Sequence, residues 1–495
     1  MADGGNGVDI LKEEGGRGGA DAAQEVAVET CIPAFPITRE ELEGRKHKTI
    51  RQTMIDAVDS SVSISVQLDQ LKNEIGAKQK HIDALPPLTR TRQEALRDLG
   101  FLWEQYEMLI EVQRIESVVG ANNAQFPPIL EDCPLCLESV AITSCDSMAH
   151  FLCCGNGTCR KCYEDATLPP PAVPKAEGEP EWVNKIKRDM KRDIDREKLP
   201  QCPLCRSNFT KSSVVLVKKW AEKGRLWAQA ELGMNYFVGQ NGVEINAKEC
   251  MKWIEIAAEQ YHPMALWCLS TIYSRGEFVQ QNKSNSIALM NDAADWGNEM
   301  AQYTMGVGHF QGQSGFGKNL EAAAHYLTLA YNNEGSSLML SGNIPDSVGG
   351  VAAVLGLLHL HGEGGFEKSN VLAKHYLDEA ANKGCKMAFF PLALAMTEAC
   401  NQQFQGEIHL PSPGDAIPRR LYWARKASAV GDPRGAVYVD GWKQFASTFC
   451  FGCRKMADDQ SFKCCAKCKS VYYCSKECHA RSWKNGHKLE CIKQG

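Results

Sequence analysis

The chain of 495 residues lacks any run of the roughly 18–20 apolar residues that a membrane-spanning helix needs. Its richest stretch, Val351 to Leu360, ends at His361 and Gly362. It also lacks an excess of basic charge. With 55 Lys and Arg against 60 Asp and Glu, the formal charge is −5, which gives no electrostatic ground for nucleic-acid binding by the chain as a whole. The start, Met1-Ala2-Asp3-Gly4-Gly5, has neither the basic residues nor the apolar core of a secretory leader. A cytoplasmic or nuclear chain without a membrane span is the expectation. No nucleophile–base set is evident, so no catalytic residue is assigned. The glycines near 312–317 and 362–365 fall in turns of a repeat, not in a phosphate loop.

Cysteine is what the sequence has in quantity. Of 22, nine lie between Cys133 and Cys205 and eight between Cys450 and Cys491. In a reducing compartment such clusters point to metal and not to disulfides. A hydrophobic fraction of 44% over this length implies several folded domains.

Residues 1–38 read as a disordered tail rich in Gly, Ala and acids. Residues 39–125 read as a helical hairpin around Pro86-Pro87. Its first helix carries Ile55, Val58, Val62, Leu68, Leu71 and Ile75 at helical steps. The second carries Leu96, Leu99, Leu102, Tyr106, Leu109, Ile110 and Ile115. Packing on neighbouring elements and pairing as a short coiled coil are both open. Between Lys185 and Lys198, seven basic and four acidic residues alternate, the pattern of a solvated helix.

From 221 to 445 the chain repeats itself. The frame Ala228-x3-Leu232-x3-Tyr236-x2-Gly239 recurs from Ala265 to Gly276 and from Ala301 to Gly312. It recurs in degenerate form from Val351 to Gly362, and begins again at Ala388-x3-Leu392. Double alanines with a following glycine, Ala293-Ala294-x2-Gly297 and Ala380-Ala381-x2-Gly384, precede two of the boxes; Ala257-Ala258 has Tyr261 in the glycine place. Small residues let two antiparallel helices approach, Leu and Tyr fill the seam, and glycine stops the helix. One pair cannot bury its apolar face, so the pairs must stack into a solenoid. This pattern resembles the Sel1-like repeat, a scaffold for protein partners. Asn332–Gly350 and Glu407–Pro418 depart from it and are expected to be surface loops.

The C-terminal cluster, Cys450-x2-Cys453, Cys465-x2-Cys468, Cys474-x3-Cys478 and His487-x3-Cys491, supplies eight ligands for two tetrahedral zinc sites. Two-residue gaps suit tight turns, and three-residue gaps one helical turn. Residues 450–491 resemble the MYND zinc finger, with an extra Cys464 and eight residues between Cys478 and His487. The resemblance implies Cys450, Cys453, Cys474 and Cys478 on one zinc and Cys465, Cys468, His487 and Cys491 on the other. It also implies short proline-containing peptides as ligands. Tyr473 and Trp483 either line that groove or pack around the metals; His479 is expected at the surface. With every position filled by protein, catalytic zinc is disfavoured, and no methyltransferase signature of the SET type is found.

The cluster within 131–209 runs Cys133-x2-Cys136, Cys153-Cys154, Cys159-x2-Cys162 and Cys202-x2-Cys205, with 39 residues between Cys162 and Cys202. It resembles a RING finger of an all-cysteine type. The family's cross-brace implies one zinc on Cys133, Cys136, Cys159 and Cys162, and a second on Cys153, Cys154, Cys202 and Cys205. Asn156 stands where the family has a histidine, and Cys145 and His150 are alternatives to Cys153. The resemblance further implies contact with a ubiquitin-conjugating enzyme through Leu135, Pro203 and Arg206.

The expectation is a multidomain, mainly α protein: a Sel1-like solenoid flanked by a RING-like zinc module and a C-terminal MYND finger, binding four Zn2+. Two functions are weighed, a RING-type E3 ubiquitin-protein ligase and a non-catalytic, zinc-stabilised adaptor between proteins. A DNA-reading transcriptional role has no basic element to support it.

Overall fold

The computed structural model describes residues 50–86, 89–143, 148–159, 161–163, 202, 204–206, 214–312, 315–333, 350–405, 416–453, 455–457, 461–488 and 491–492. The expected tail over 1–38, the charged segment 185–198, Cys145 and Pro203 lie outside the described residues, as do most of the two expected loops. No helix among the described residues is long and apolar enough to cross a membrane.

Among the described residues three helices come first: α1 (Ile50–Val58), α2 (Ile64–Ala84) and α3 (Arg90–Gln125). Thr89 caps α3 by accepting from the Arg92 amide. Ile75 and Ile82 of α2 then pack on Ala95 and Leu99 of α3, while Leu68 meets Leu109 and Val112. The hairpin thus has small cores of its own. One expectation fails. The stripe Ile55, Val58, Val62 does not run on into Leu68, because the helix breaks between Val58 and Ile64. Asp59, Ser60 and Ser61 stand at the break, where their side chains compete with helical backbone bonds, and the Val62 amide donates to Ser60 Oγ. Ile55 and Val58 are left 53% and 74% exposed, while Ile50 and Ala57 are buried instead. Ile110 also faces solvent.

Two short antiparallel ribbons follow. β1 (Leu130–Asp132) pairs with β2 (Ser139–Ala141), and β3 (Met148–His150) with β4 (Gly157–Cys159). The solenoid then runs through α4 (Val214–Glu222), α5 (Leu226–Val238), α6 (Ala247–Ala258), α7 (Pro263–Arg275), α8 (Lys283–Asp295), α9 (Glu299–Gln311), α10 (Leu320–Asn333), α11 (Gly350–His361), α12 (Asn370–Asn382), α13 (Phe389–Gln405), α14 (Ala416–Ala429) and α15 (Pro433–Ala446). The box alanines Ala228, Ala265, Ala301 and Ala388 are fully buried, as are Ala293 and Ala294 of the double-alanine helices. Gly239, Gly276 and Gly312 end α5, α7 and α9 in the left-handed region, with φ of 69°, 71° and 67°. The glycine place before the next box behaves alike: Gly297 and Gly384 have φ of 96° and 89°, and Tyr261 adopts 58° there despite its side chain. That conformation costs an L-residue about 1–2 kcal/mol. Stacking of Tyr261 on Trp296, centroids 4.9 Å apart, works against the cost.

Mid-helix glycines make the repeats tight. A Cβ on Gly233, Gly306 or Gly356 would lie 2.6, 2.5 and 2.7 Å from the side chains of Ile254, Leu327 and Leu377. The second repeat departs at both corresponding positions, with Ser270 and Asn291. Ser270 is buried and donates to the Ser286 carbonyl at 2.9 Å.

The hairpin lies against this solenoid. Ile50, Met108 and Ile115 enter the same core as Leu327, Tyr331, Leu355 and Tyr376. Asn122 of α3 donates to the Asp295 carbonyl at the end of α8. Beyond α15, β5 (Lys463–Cys464) pairs with β6 (Tyr472–Tyr473), and α16 (Lys476–Ser482) leads into a π-type turn over Trp483–His487.

Candidate zinc centres

Three of the Cys-x2-Cys pairs are presented by a backbone knuckle. The amide of the residue after the second cysteine donates to the carbonyl of the first: Leu137 to Cys133, Arg206 to Cys202 and Lys469 to Cys465, all at 2.8 Å. Closing that turn forces left-handed backbone on the donor, and φ is 65° at Leu137, 60° at Arg206 and 49° at Lys469. The strain accompanies a geometry in which both thiols face one point. A further pair is made differently. Cys474 precedes α16, Ser475 caps it by accepting from the Cys478 amide, and Cys478 lies in its first turn. The two cysteines therefore straddle the helix start, where one helical turn was expected to carry both. Adjacent Cys153 and Cys154 are turned by a left-handed Gly155 with φ of 74°, whose amide donates to the Phe151 carbonyl at 2.7 Å.

Among the described residues four sets of donor atoms converge, those of each set within 4.8 Å of one another: Cys133, Cys136, Cys159, Cys162; Cys153, Cys154, Cys202, Cys205; Cys450, Cys453, Cys474, Cys478; and Cys465, Cys468, His487, Cys491. In the N-terminal module the first pair meets the third and the second meets the fourth, a cross-brace. Within the sets, sulfur–sulfur separations are 3.7 Å for Cys136–Cys159, 3.4 Å for Cys153–Cys205, 3.6 Å for Cys453–Cys474 and 3.7 Å for Cys465–Cys491. A tetrahedral ion with Zn–S arms of about 2.3 Å has edges of about 3.8 Å. A disulfide requires about 2.05 Å. The donor sets therefore fit zinc and not disulfides.

Electrostatics points the same way. Burial, the largest influence on Cys133, opposes ionisation, but the amides of Cys136, Cys159 and Leu135 outweigh it and draw the thiol down to about 6. Its neighbour Cys162 is pushed up to about 12, chiefly by the Cys159 thiol. Cys450 and Cys474 repeat this split at about 6 and about 12. One thiolate forms easily and its crowded partners resist, until a divalent cation makes further ionisation favourable. Burial lowers His487 to about 4, so its imidazole is neutral at physiological pH and able to ligate. Nε2 lies 3.7 Å from Cys468 Sγ.

The other residues singled out in the sequence fall as follows. His150 stands apart from the cysteines, within 3.3 Å of Glu131 and stacked on Trp227 at 4.3 Å. Asn156 is exposed. Tyr473 is buried, its hydroxyl 3.0 Å from Ser482, so it packs around the metal positions; Trp483 is half-buried beside His487. His479 is half-buried and outside the four sets. Leu135 and Arg206 are exposed. Leu137, which sequence reasoning passed over, is 81% exposed. Its signal was its place directly after a Cys-x2-Cys pair.

Both zinc modules are fixed to the solenoid. Trp220 of α4 donates to the Leu152 carbonyl at 2.9 Å, and its ring covers Gly155. Asn298 donates to the Thr143 carbonyl at 3.3 Å. At the other end, Arg425 of α14 donates to the carbonyls of Cys468 (3.1 Å) and Lys469 (2.7 Å), and Trp442 of α15 to that of Ser470 (2.7 Å).

The MYND finger model matches residues 450–491, and the Sel1 repeat model matches 228–262, 299–334 and 352–385. The chain carries both of these protein-interaction modules, and it binds zinc. Ubiquitin carboxyl-terminal hydrolase 19 of Arabidopsis thaliana is 35% identical over 75 residues, 14% of this chain. The chain spans only 11% of that relative's length. Among solved structures, a Sel1 repeat protein from Oxalobacter formigenes is 21% identical, covering 53% of this chain and 90% of its own, with a TM-score of 0.34. The c5321 protective antigen of uropathogenic Escherichia coli, which displays an SLR fold, is 23% identical, covering 48% and 44%, with a TM-score of 0.33.

Proposed function

We propose that the chain is an E3 ubiquitin-protein ligase of the RING type, whose solenoid and MYND finger select the substrate. Each of the four donor sets holds one structural zinc. Zinc supplies folding energy to modules with little core of their own, on the order of 10–16 kcal/mol in small fingers. It leaves no open position for a reacting water. Catalysis is then a matter of orientation: the module holds a charged conjugating enzyme so that its thioester is open to attack.

The observation that carries this reading is the cross-brace with its contact candidates turned to solvent. Leu135 is 43% exposed inside the first pair, and Arg206 is exposed directly after the last ligand. The module's anchoring on the solenoid uses other residues, Thr143, His150 and Leu152. The third candidate, Pro203, lies outside the described residues. A reducing cytoplasm or nucleus keeps the ligand thiols available.

The test is ubiquitin discharge from a panel of charged conjugating enzymes, with zinc counted beforehand. Acceleration by protein carrying four zincs, lost in Leu135→Ala and Arg206→Ala at unchanged zinc content, supports the ligase. No acceleration from such protein leaves the zinc-stabilised adaptor.

A further inference from the structure

One face of α3 is unlike the rest of the hairpin. Glu104, Glu107 and Glu111 stand on it at successive helical steps, and Arg114 follows one turn later. Such a row of acids ordinarily faces water. Here Glu104 and Glu111 are buried, and each of the three carboxylates meets a solenoid side chain. Glu104 pairs with His375 and Glu107 accepts from Ser369 Oγ, the cap of α12. Glu111 accepts from Tyr376 Oη at 2.6 Å and lies 3.4 Å from His359 Nε2. Arg114 grips Glu111 through two bonds of 2.7 and 2.8 Å, reaches Thr328 Oγ1 at 3.2 Å and lies over the Phe366 ring at 4.4 Å.

The apolar part of the contact has helical spacing too. Met108, Ile115 and Val119 project into the core shared by α10, α11 and α12. The whole is a helix laid in a groove, with apolar anchors for affinity and polar side chains for register. The polar side chains bring specificity because a helix shifted by one residue leaves buried carboxylates without partners, a costly state. The hairpin is also joined within itself by small cores separate from this groove.

We propose that the α10–α12 groove is a recognition site for an acidic amphipathic helix with carboxylates at i, i+3 and i+7, held closed in this chain by its own α3. The partner it fits in trans is a helix of another protein carrying that carboxylate register beside an apolar stripe. The inference rests on the solenoid acting as a partner-binding scaffold and is independent of ligase activity. Covalent connection explains why the groove is filled in cis: α3 and the groove belong to one chain, so α3 competes as an intramolecular ligand.

The probe is a fluorescent synthetic peptide with the sequence of residues 101–123, titrated by anisotropy onto the full, zinc-loaded chain. An opened variant, Glu104→Gln/Glu107→Gln/Glu111→Gln, alters α3 and leaves the groove intact. The opened variant is expected to bind the peptide at least about tenfold more tightly than the unaltered chain. A peptide with the same three Gln changes should lose about tenfold or more, and so should Tyr376→Phe in the groove of the opened variant. Amide exchange decides whether opening occurred: α3 must lose protection while α6 to α9 keep theirs. If α3 is released and the peptide still does not bind, the groove does not read this helix and the proposal falls. It falls as well if α6 to α9 lose protection with α3, since the hairpin is then an inseparable part of the solenoid core. An opened variant that dimerises and leaves no peptide site would make the trans occupant a second copy, and would overturn the claim of a foreign partner. Ubiquitin discharge has no part in the readout, so failure of the ligase reading leaves this result standing.

Discussion

Adding one methyl group to a helical glycine should have opposite signs at two kinds of position in this chain. In an open helix, Gly→Ala stabilises by roughly 0.5–1 kcal/mol because the unfolded chain loses freedom. Gly76 in α2 and Gly120 in α3 are such positions, with nothing within 4 Å of the added carbon. At Gly306 the same carbon would lie 2.5 Å from Leu327 Cγ, 2.7 Å from Cδ2 and 3.3 Å from its backbone nitrogen. Leu327 is fully buried in the core, so its side chain must shift within that core or α9 and α10 must separate. Overpacking of this kind costs about 1–3 kcal/mol. Set against the intrinsic gain, Gly306→Ala should destabilise by about 0.5–2 kcal/mol, and Gly356→Ala, against Leu377, by a similar amount. Urea midpoints followed by circular dichroism, with amide exchange in α9 and α10, measure this directly. Should Gly306→Ala raise the midpoint as Gly76→Ala does, the close approach of paired helices is not what the glycine serves, and the reasoning fails.

Glu111 gives a pH-dependent case. Burial alone would raise its pKa, but bonds from Arg114 and the His359 neighbour bring it from 4.5 down to about 2. A depressed carboxylate contributes stability above its unfolded value and loses it as pH falls toward the folded one. Glu111→Gln should therefore cost up to about 3 kcal/mol at pH 7. The difference from the unaltered chain should shrink between pH 4.5 and 2, read by unfolding of both proteins side by side. Cys154→Ser should lower the zinc count by mass spectrometry from four to three and leave the C-terminal sites filled. Gly452→Ala, whose added carbon would lie 2.6 Å from the Cys478 carbonyl, should empty one C-terminal site instead. Lys469→Gly, relieving a φ of 49° at a knuckle, should slow zinc loss to chelators, because the left-handed cost of about 1–2 kcal/mol disappears.

The paired cysteines and the helix stops were legible because spacing encodes them, whereas the sorting of donors into sites came from the family resemblances and left Cys153 open. A Cys-x2-Cys pair or a glycine at a fixed place in a repeat needs only local backbone to act, and Gly239, Gly276 and Gly312 do what their spacing implies. The break after Val58 was not legible, since apolar steps continue across it and only Asp59, Ser60 and Ser61 argue otherwise. Nor was the destination of Glu104, Glu107 and Glu111. In sequence they are an ordinary charged helix face, and their partners His375, Ser369 and Tyr376 lie more than 260 positions away. Leu137 and Lys469 hid for another reason. Nothing in a leucine or a lysine announces positive φ, and only the hydrogen bond closing the knuckle demands it.

Trp220 grips one zinc module at the first solenoid helices, and Arg425 with Trp442 grips the other at the last. Clamped in this way, the modules are coupled to the number of helix pairs between them. Inserting or deleting one pair would reposition one finger against the other in a discrete step of translation and rotation. Both docking seams would be left untouched when the change lies beyond Asn298, which also holds the first module through Thr143. The solenoid then works as a graduated spacer, and counting repeats becomes a way to alter reach without rebuilding either end.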